Sequence, residues 1–267
     1  MYNWDPADYD KSSSAQYKWA MTLIDDLNLK GDERILDIGC GNGKVTAHLA
    51  SLVPNGGVVG IDLSREMISF AATKYIPKIH PNLSFQIGDA SLLGFLEEFD
   101  LVVSFACLHW VKDHLPVLEG VWRSLKPGGR ILFQFGGRGN AARILDLTND
   151  LVKNPRWTEY FRGFCFPYHF YGIEEYRIWL AMSGLVPRRL ELVPKDMVHQ
   201  GLAGLEGIIR TTWLPYTERL PDSLRQEFVS EVASRYLELY PLDDEGLVHV
   251  QMMRLEVEAE KPISGPQ

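Results

Sequence analysis

Three aspartates stand at the carboxyl ends of successive apolar runs: Asp37 in Ile35-Leu36-Asp37-Ile38, Asp62 after Val58-Val59-Gly60-Ile61, and Asp89 after Ile87-Gly88. The first leads into Gly39-Cys40-Gly41-Asn42-Gly43, a G-x-G-x-G cluster that lets the chain turn tightly and lets a ligand approach the backbone. The acid before the glycines bears on the ligand's charge, because a fixed carboxylate repels a pyrophosphate and attracts a cation. Asp62, one strand and helix further on, is placed to accept hydrogen bonds from both hydroxyls of a ribose. Asp89 can accept from an adenine amino group while the Ala90 N–H reads a ring nitrogen. The three acids together suit a nucleoside that carries positive charge. Plainer roles stay open: a bare strand-to-helix turn for the glycines, and helix caps for Asp62 and Asp89, with Ser64 competing with Asp62. A dinucleotide fingerprint would put its third glycine where Lys44 stands, which counts against NAD or FAD and leaves a nicotinamide-dependent oxidoreductase as an alternative. A fourth run ends in Ser104-Phe105-Ala106-Cys107-Leu108-His109-Trp110, where His109 and Trp110 either face a ligand or pack.

These residues need a parallel sheet to position them. Strands are expected at Arg34–Ile38, Gly57–Ile61, Leu83–Ile87, Phe99–Phe105 and Gly129–Phe135. Helices are expected at Lys44–Leu52, Arg65–Tyr75 and His114–Leu125, with a short turn after Asp89. Near-continuous apolar strands separated by helices imply a parallel sheet covered on both faces, with the first strand central. Lys126-Pro127-Gly128-Gly129 reads as a turn. After it, residues 140–184 read as helical and rich in Trp, Tyr and Phe, Arg188–Val198 as a strand, 202–240 as two or more helices broken near Pro215 and Pro221, and His249–Ala259 as a final strand. The end, 262–267, is expected to fray.

The whole composition narrows the function. A chain of 267 residues suffices for one α/β domain with a cap. With 27 basic and 35 acidic residues the net charge is −8, and no basic cluster offers to neutralise a nucleic-acid backbone. Cys40, Cys107 and Cys165 are too few and too scattered for a disulfide framework, and no metal-ligand spacing occurs. The opening Met1-Tyr2-Asn3-Trp4-Asp5 does not read as a secretory signal, and no apolar run approaches the roughly 20 residues of a bilayer span. The expectation is a cytoplasmic protein, monomer or dimer, acting on a small molecule, with neither nucleic acid nor membrane as partner.

Taken together, Asp37 to Gly43, Asp62, Asp89 and Lys126-Pro127-Gly128-Gly129 resemble the class I S-adenosylmethionine-dependent methyltransferases over about residues 34–135. Leu108-His109-Trp110-Val111 is similar to the trans-aconitate and juvenile hormone acid methyltransferases. Pro155-Arg156-Trp157, Phe166-Pro167-Tyr168-His169 and Ser12-Ser13-Ser14-Ala15-Gln16 look like the latter group. The resemblance implies an α/β, Rossmann-like, seven-stranded sheet, mostly parallel with the last strand antiparallel, helices on both faces and a helical cap. Its parts would be an N-terminal helical lid segment at 1–30, the cofactor-binding core at 31–137, a cap or substrate region at 138–187 and 199–246, and late strands at 188–198 and 247–260. The implied cofactor is S-adenosylmethionine, with S-adenosylhomocysteine as product. It would be held by Gln16, Asp37, Gly39, Cys40, Gly41, Asn42, Asp62, Leu63, Met67, Asp89, Ala90 and Ser104.

Both narrower groups methylate carboxylic acids, so the resemblance implies a carboxyl O-methyltransferase acting on a small-molecule acid. A carboxylate with a pKa near 4 is ionised at pH 7 and needs no general base. No catalytic base is therefore assigned, and His109 is a candidate for orientation only. Substrate contacts are expected from His109, Trp110, Trp157 and Tyr168, and further donors for an acid from Gln16, Arg138, Arg156 and Arg162. The aromatic run Trp157–Tyr171 reads either as a lid or as the cap's own core. N- or C-methylation of another small molecule, and cofactor binding without turnover, remain open.

Overall fold

The computed structural model describes residues 14–263. Part of the expected lid segment, including Ser12-Ser13, and the end 264–267 lie outside the described residues.

A seven-stranded sheet carries the molecule. Its strands are β1 (Arg34–Ile38), β2 (Gly57–Asp62), β3 (Leu83–Ile87), β4 (Phe99–Phe105), β5 (Leu125–Gly136), β6 (Val186–Gln200) and β7 (Leu247–Glu260), in the order β3-β2-β1-β4-β5-β7-β6. β1 to β5 pair in parallel, while β7 runs antiparallel to β5. The helices are α1 (Ser14–Asp25), α2 (Lys44–Leu52), α3 (Arg65–Lys74), α4 (Leu115–Ser124), α5 (Ala142–Leu151), α6 (Ile173–Ser183), α7 (Gly201–Thr212), the one-turn α8 (Leu214–Thr217) and α9 (Asp222–Leu239). β1 lies between β2 and β4, so the order of strands reverses direction there and the chain leaves a crevice beyond the carboxyl ends of β1 and β4.

Burial on both faces explains why the central strands are apolar throughout. One face sets Leu36, Ile38, Val102, Phe133, Phe135, Leu255 and Val257 against α4 and α6 through Val117, Leu118, Val121, Tyr176 and Leu180. The other sets Ile35, Val58, Leu101, Val103 and Leu132 against α1, the turn after it and α2 through Leu23, Ile24, Leu27, Leu49 and Ala50. The chain groups into two compact units. Among the described residues, the larger comprises 16–138, 168–193 and 254–263; the smaller comprises 14–15, 139–167 and 194–253. In the smaller, Trp157, Phe228, Val232 and Tyr236 are fully buried.

Two expectations need correcting. Residues 140–184 are not helical throughout: between α5 and α6 the chain makes turns and extended stretches. Pro155 and Pro167 lack the N–H that a helix interior needs, and Gly163 sits at φ +66°, so helix cannot continue. Lys126-Pro127-Gly128-Gly129 does not precede the fifth strand but interrupts it. Leu125 pairs with Phe99, and the register resumes at Arg130 opposite Leu101. Beside this bulge Lys261, just past β7, is buried. Its ammonium donates to Leu125 O at 2.8 Å and to Glu97 Oε1 at 3.1 Å, over the Trp122 ring. Among the described residues no helix is long and apolar enough to cross a membrane.

Candidate functional site

The glycine loop is fastened to β2 and its following residues. The Gly39 and Cys40 N–H groups both donate to Ile61 O, at 2.8 and 2.9 Å. The Asp62 carboxylate accepts from the Gly41 N–H at 2.9 Å and, through its other oxygen, from the Ser64 N–H at 2.9 Å. Ser64 itself caps α3 by accepting from the Met67 N–H at 3.2 Å, which releases Asp62 from that role. Burial raises the Asp62 pKa against these backbone donors. Asp37 is wholly enclosed and accepts from Thr46 Oγ1 at 2.7 Å. Burial drives its pKa up to about 7 against that hydrogen bond, and the charge of Asp62 adds to the rise.

Gly39 has φ +74°, and a Cβ built there would fall 2.2 Å from Cys107 Sγ. Gly39→Ala is expected to cost about 2–4 kcal/mol, from left-handed backbone strain and overpacking. Adding Cys107→Gly should recover the packing part alone. Urea unfolding of the single and double variants checks this, and equal losses in both would show that packing contributes nothing.

The other sequence-predicted positions divide between ligand-accessible groups and internal braces. Ser104 is fully buried and donates to Ile38 O at 2.8 Å, tying β4 to β1. Asn42 is buried and accepts from the Lys44 N–H at 3.2 Å. Cys40 and Met67 are buried, whereas Leu63 is half exposed. Asp89 accepts from the Ser91 N–H at 2.8 Å and caps the short 3₁₀ turn Ala90–Leu92.

At the exit of β4 a second 3₁₀ turn, Leu108–Trp110, presents His109 beneath an aromatic strap. The His169 N–H donates to His109 O at 2.8 Å, and Tyr171 Oη donates to Lys112 O at 2.5 Å. The Tyr168 ring lies 5.1 Å from that of His109 and 4.2 Å from that of Trp110. Burial holds the His109 imidazole well below its ordinary pKa, and the positive charge of Arg254 and then His114 depress it further. Its ring is neutral at pH 7. His109 Nδ1 and Gln16 Oε1 are buried without a hydrogen-bond partner among the described residues. A buried acceptor without a donor, two enclosed carboxylates and a loop of backbone N–H groups fit a nucleoside with a cationic arm.

Residues 35–129 match the family model described as a methyltransferase domain. The chain is a methyltransferase. S-adenosylmethionine is its methyl donor. The methyltransferase is 29% identical to a trans-aconitate 2-methyltransferase of Mycolicibacterium gilvum, over 96% of this chain and 98% of that one. It is 29% identical to the juvenile hormone acid O-methyltransferase of Drosophila melanogaster, over 75% and 70%. Its fold superimposes on phosphoethanolamine N-methyltransferase 2 of Haemonchus contortus, solved with S-adenosyl-L-methionine, with a TM-score of 0.60 at 19% identity, covering 96% of this chain and 56% of that one.

The aromatic run of this methyltransferase splits in two. Tyr168, Phe170 and Tyr171 pack on His109 and His114 in the larger unit. Phe161, Phe164 and Phe166 pack on Tyr216 in the smaller unit. Trp157, expected as an acceptor contact, has no exposed surface. Its indole packs on Phe228 and donates to Glu231 Oε2 at 2.8 Å, so it belongs to the smaller unit's core. Arg156 stacks on Trp157 and pairs with Glu227, while Arg138 pairs with Glu175. The Arg162 carbonyl accepts from Arg219 at 3.2 Å. Sequence reasoning missed Thr46, Cys107 and Arg254. Thr46 alone carried a signal, as the hydroxyl one turn into the helix that follows Asp37.

Proposed function

We propose that this methyltransferase esterifies a carboxylate of a small-molecule acid, trans-aconitate-like or apolar-tailed, without a general base. The observation that carries this reading is the state of His109. It is the imidazole of the turn at the β4 exit, and its enclosure beside Arg254 leaves it a poor proton acceptor. An amine or phenol often needs a base there, whereas an ionised carboxylate does not. The names of the trans-aconitate and juvenile hormone acid relatives agree with this choice.

On this reading Asp62 takes the ribose hydroxyls, Asp89 and the Ala90 N–H the adenine, and Leu63 flanks the base. Asp37 and the loop Gly39 to Gly43 lie at the charged arm, and the unpartnered Gln16 Oε1 suits its ammonium. Cys40, Asn42, Met67 and Ser104 form the wall behind. His109, Trp110 and Tyr168 enclose the acceptor. Bound there, S-adenosylmethionine would supply a methyl already activated on sulfur, with a neutral thioether as its leaving group. The protein's share is alignment and exclusion of water, and orientation of this kind is worth on the order of 7–11 kcal/mol.

A screen of dicarboxylic, tricarboxylic and fatty acids with labelled donor tests the reading. A base-labile methyl product is expected, and a product stable to base in every case would refute it in favour of N- or C-methylation. With the acid so found, His109→Ala should raise KM about tenfold through lost packing and orientation, and leave the pH profile without a lost basic limb.

Asp37 adds a pH dependence. Its folded-state pKa near 7 lies above the ordinary 3.8, so in the free protein the carboxyl gains a proton as pH falls through about 7. A cation bound alongside favours the ionised form, so binding expels that proton. S-adenosylmethionine affinity should therefore tighten as pH rises from about 5 to 7 and level off above. Calorimetric titrations across this range should show the slope in the wild type and a flat profile in Asp37→Asn.

A further inference from the structure

A buried arginine stands at the carboxyl edge of the sheet. Arg254 pairs with Gly136 at the last step of the β5–β7 ladder, at the carboxyl edge of the sheet. Along β7, Leu255 and Val257 face α4 and α6, so Arg254 and Glu256 point to the other face, which α1 covers. Glu256 is engaged there by Gln134 Nε2 at 2.8 Å and by Arg189. Arg254 is buried and carries its guanidinium 5.7 Å from the Trp19 ring of α1. Gln16 lies one turn before Trp19 on the same helix face, with its Oε1 buried and unpartnered. From the third side His109 feels the charge of Arg254 and leaves its enclosed Nδ1 without a partner. Arg254 thus lies buried at the carboxyl edge of the sheet, against Trp19 and within electrostatic reach of the enclosed His109.

We propose that Arg254, at the carboxyl edge between Trp19 and His109, anchors the acceptor's carboxylate and so determines specificity for acids over neutral analogues. This rests on the carboxyl reading given above. The planar guanidinium offers two parallel N–H donors to a carboxylate, a geometry lysine cannot reproduce. That grip uses one lone pair of each oxygen, so an oxygen of the held carboxylate, or of a second carboxyl group in a polyacid, keeps a lone pair to receive the methyl.

The test begins with an acid that the wild type esterifies. Arg254→Gln should raise KM for that acid about 100-fold or more, the effect of losing two charge-assisted hydrogen bonds. Its affinity for S-adenosylhomocysteine, measured by calorimetry, should stay within about twofold, which also reports that the variant folds. The primary amide of the same acid, used as a competitive inhibitor, should bind wild type and variant alike. Arg254→Lys keeps the cation and most of the stem, remains readable if the neutral variant does not fold, and should raise KM about tenfold. An unchanged KM in these variants, or equal losses for acid and amide, overturns the role of Arg254 and leaves the carboxyl reading standing. Failure of the wild type to esterify any acid overturns both, and does so before any variant is made.

Discussion

Replacing Asp62 by alanine is expected to weaken S-adenosylmethionine binding about 100- to 1,000-fold, or ~3–4 kcal/mol. The side chain has two jobs in the structure. Its two oxygens fix the Gly41 and Ser64 N–H groups, which shapes the glycine loop against the start of α3. The same carboxylate has lone pairs left for ribose hydroxyls, and hydrogen bonds to a charged acceptor are the stronger kind. Loop collapse and lost ribose contact can be separated with 2′- and 3′-deoxy analogues of S-adenosylhomocysteine. If Asp62 grips the ribose, wild type should lose affinity for the deoxy ligands while Asp62→Ala binds them no worse than the parent nucleoside. Full additivity of the two changes would reduce Asp62 to a loop brace.

The second large effect concerns stability. Trp157→Ala is expected to destabilise the protein by about 3–5 kcal/mol, the range for emptying a buried tryptophan site. The ring fills space against Phe228, and its removal also leaves Glu231 without the indole donor and Arg156 without its stacking surface. Trp157→Phe restores part of the volume but not the N–H, so an intermediate loss should follow. Urea unfolding monitored by circular dichroism measures both. KM for the acceptor, taken at a temperature where the variants stay folded, should hardly move. A raised KM with unchanged stability would return Trp157 to the acceptor site.

Much of this was legible in the chain because the central strands carry their own signature. Ile35-Leu36, Leu101-Val102-Val103 and Leu132-Phe133 are apolar on both faces because both faces are covered, and only turn residues interrupt them. The acids at the strand ends were legible for the same reason, since a carboxylate closing such a run sits at the edge of the sheet. What was not legible depends on distant partners. Nothing near Gly39 announces that Cys107 lies against it. The run Trp157–Tyr171 reads as one aromatic feature, yet its halves pack on Tyr216 and on His109, and composition does not record which neighbour each ring finds. Arg254 was hidden most deeply: its meaning depends on β7 lying between β5 and β6 and on a register that brings it opposite Gly136.

That same placement of β7 governs how the protein can be made. Of the strands described, it is translated last, and it occupies an interior place in the sheet. Until residues 247–260 have left the ribosome, β5 presents an open edge and β6 has no neighbour to join. Unpaired edges of this kind invite association with other chains. A stop or a proteolytic cut a few residues before Leu247 would therefore remove the piece that closes the sheet, together with the Lys261 ammonium that fastens it to Leu125 and Glu97. Such fragments would expose an unpaired strand edge and be prone to aggregate.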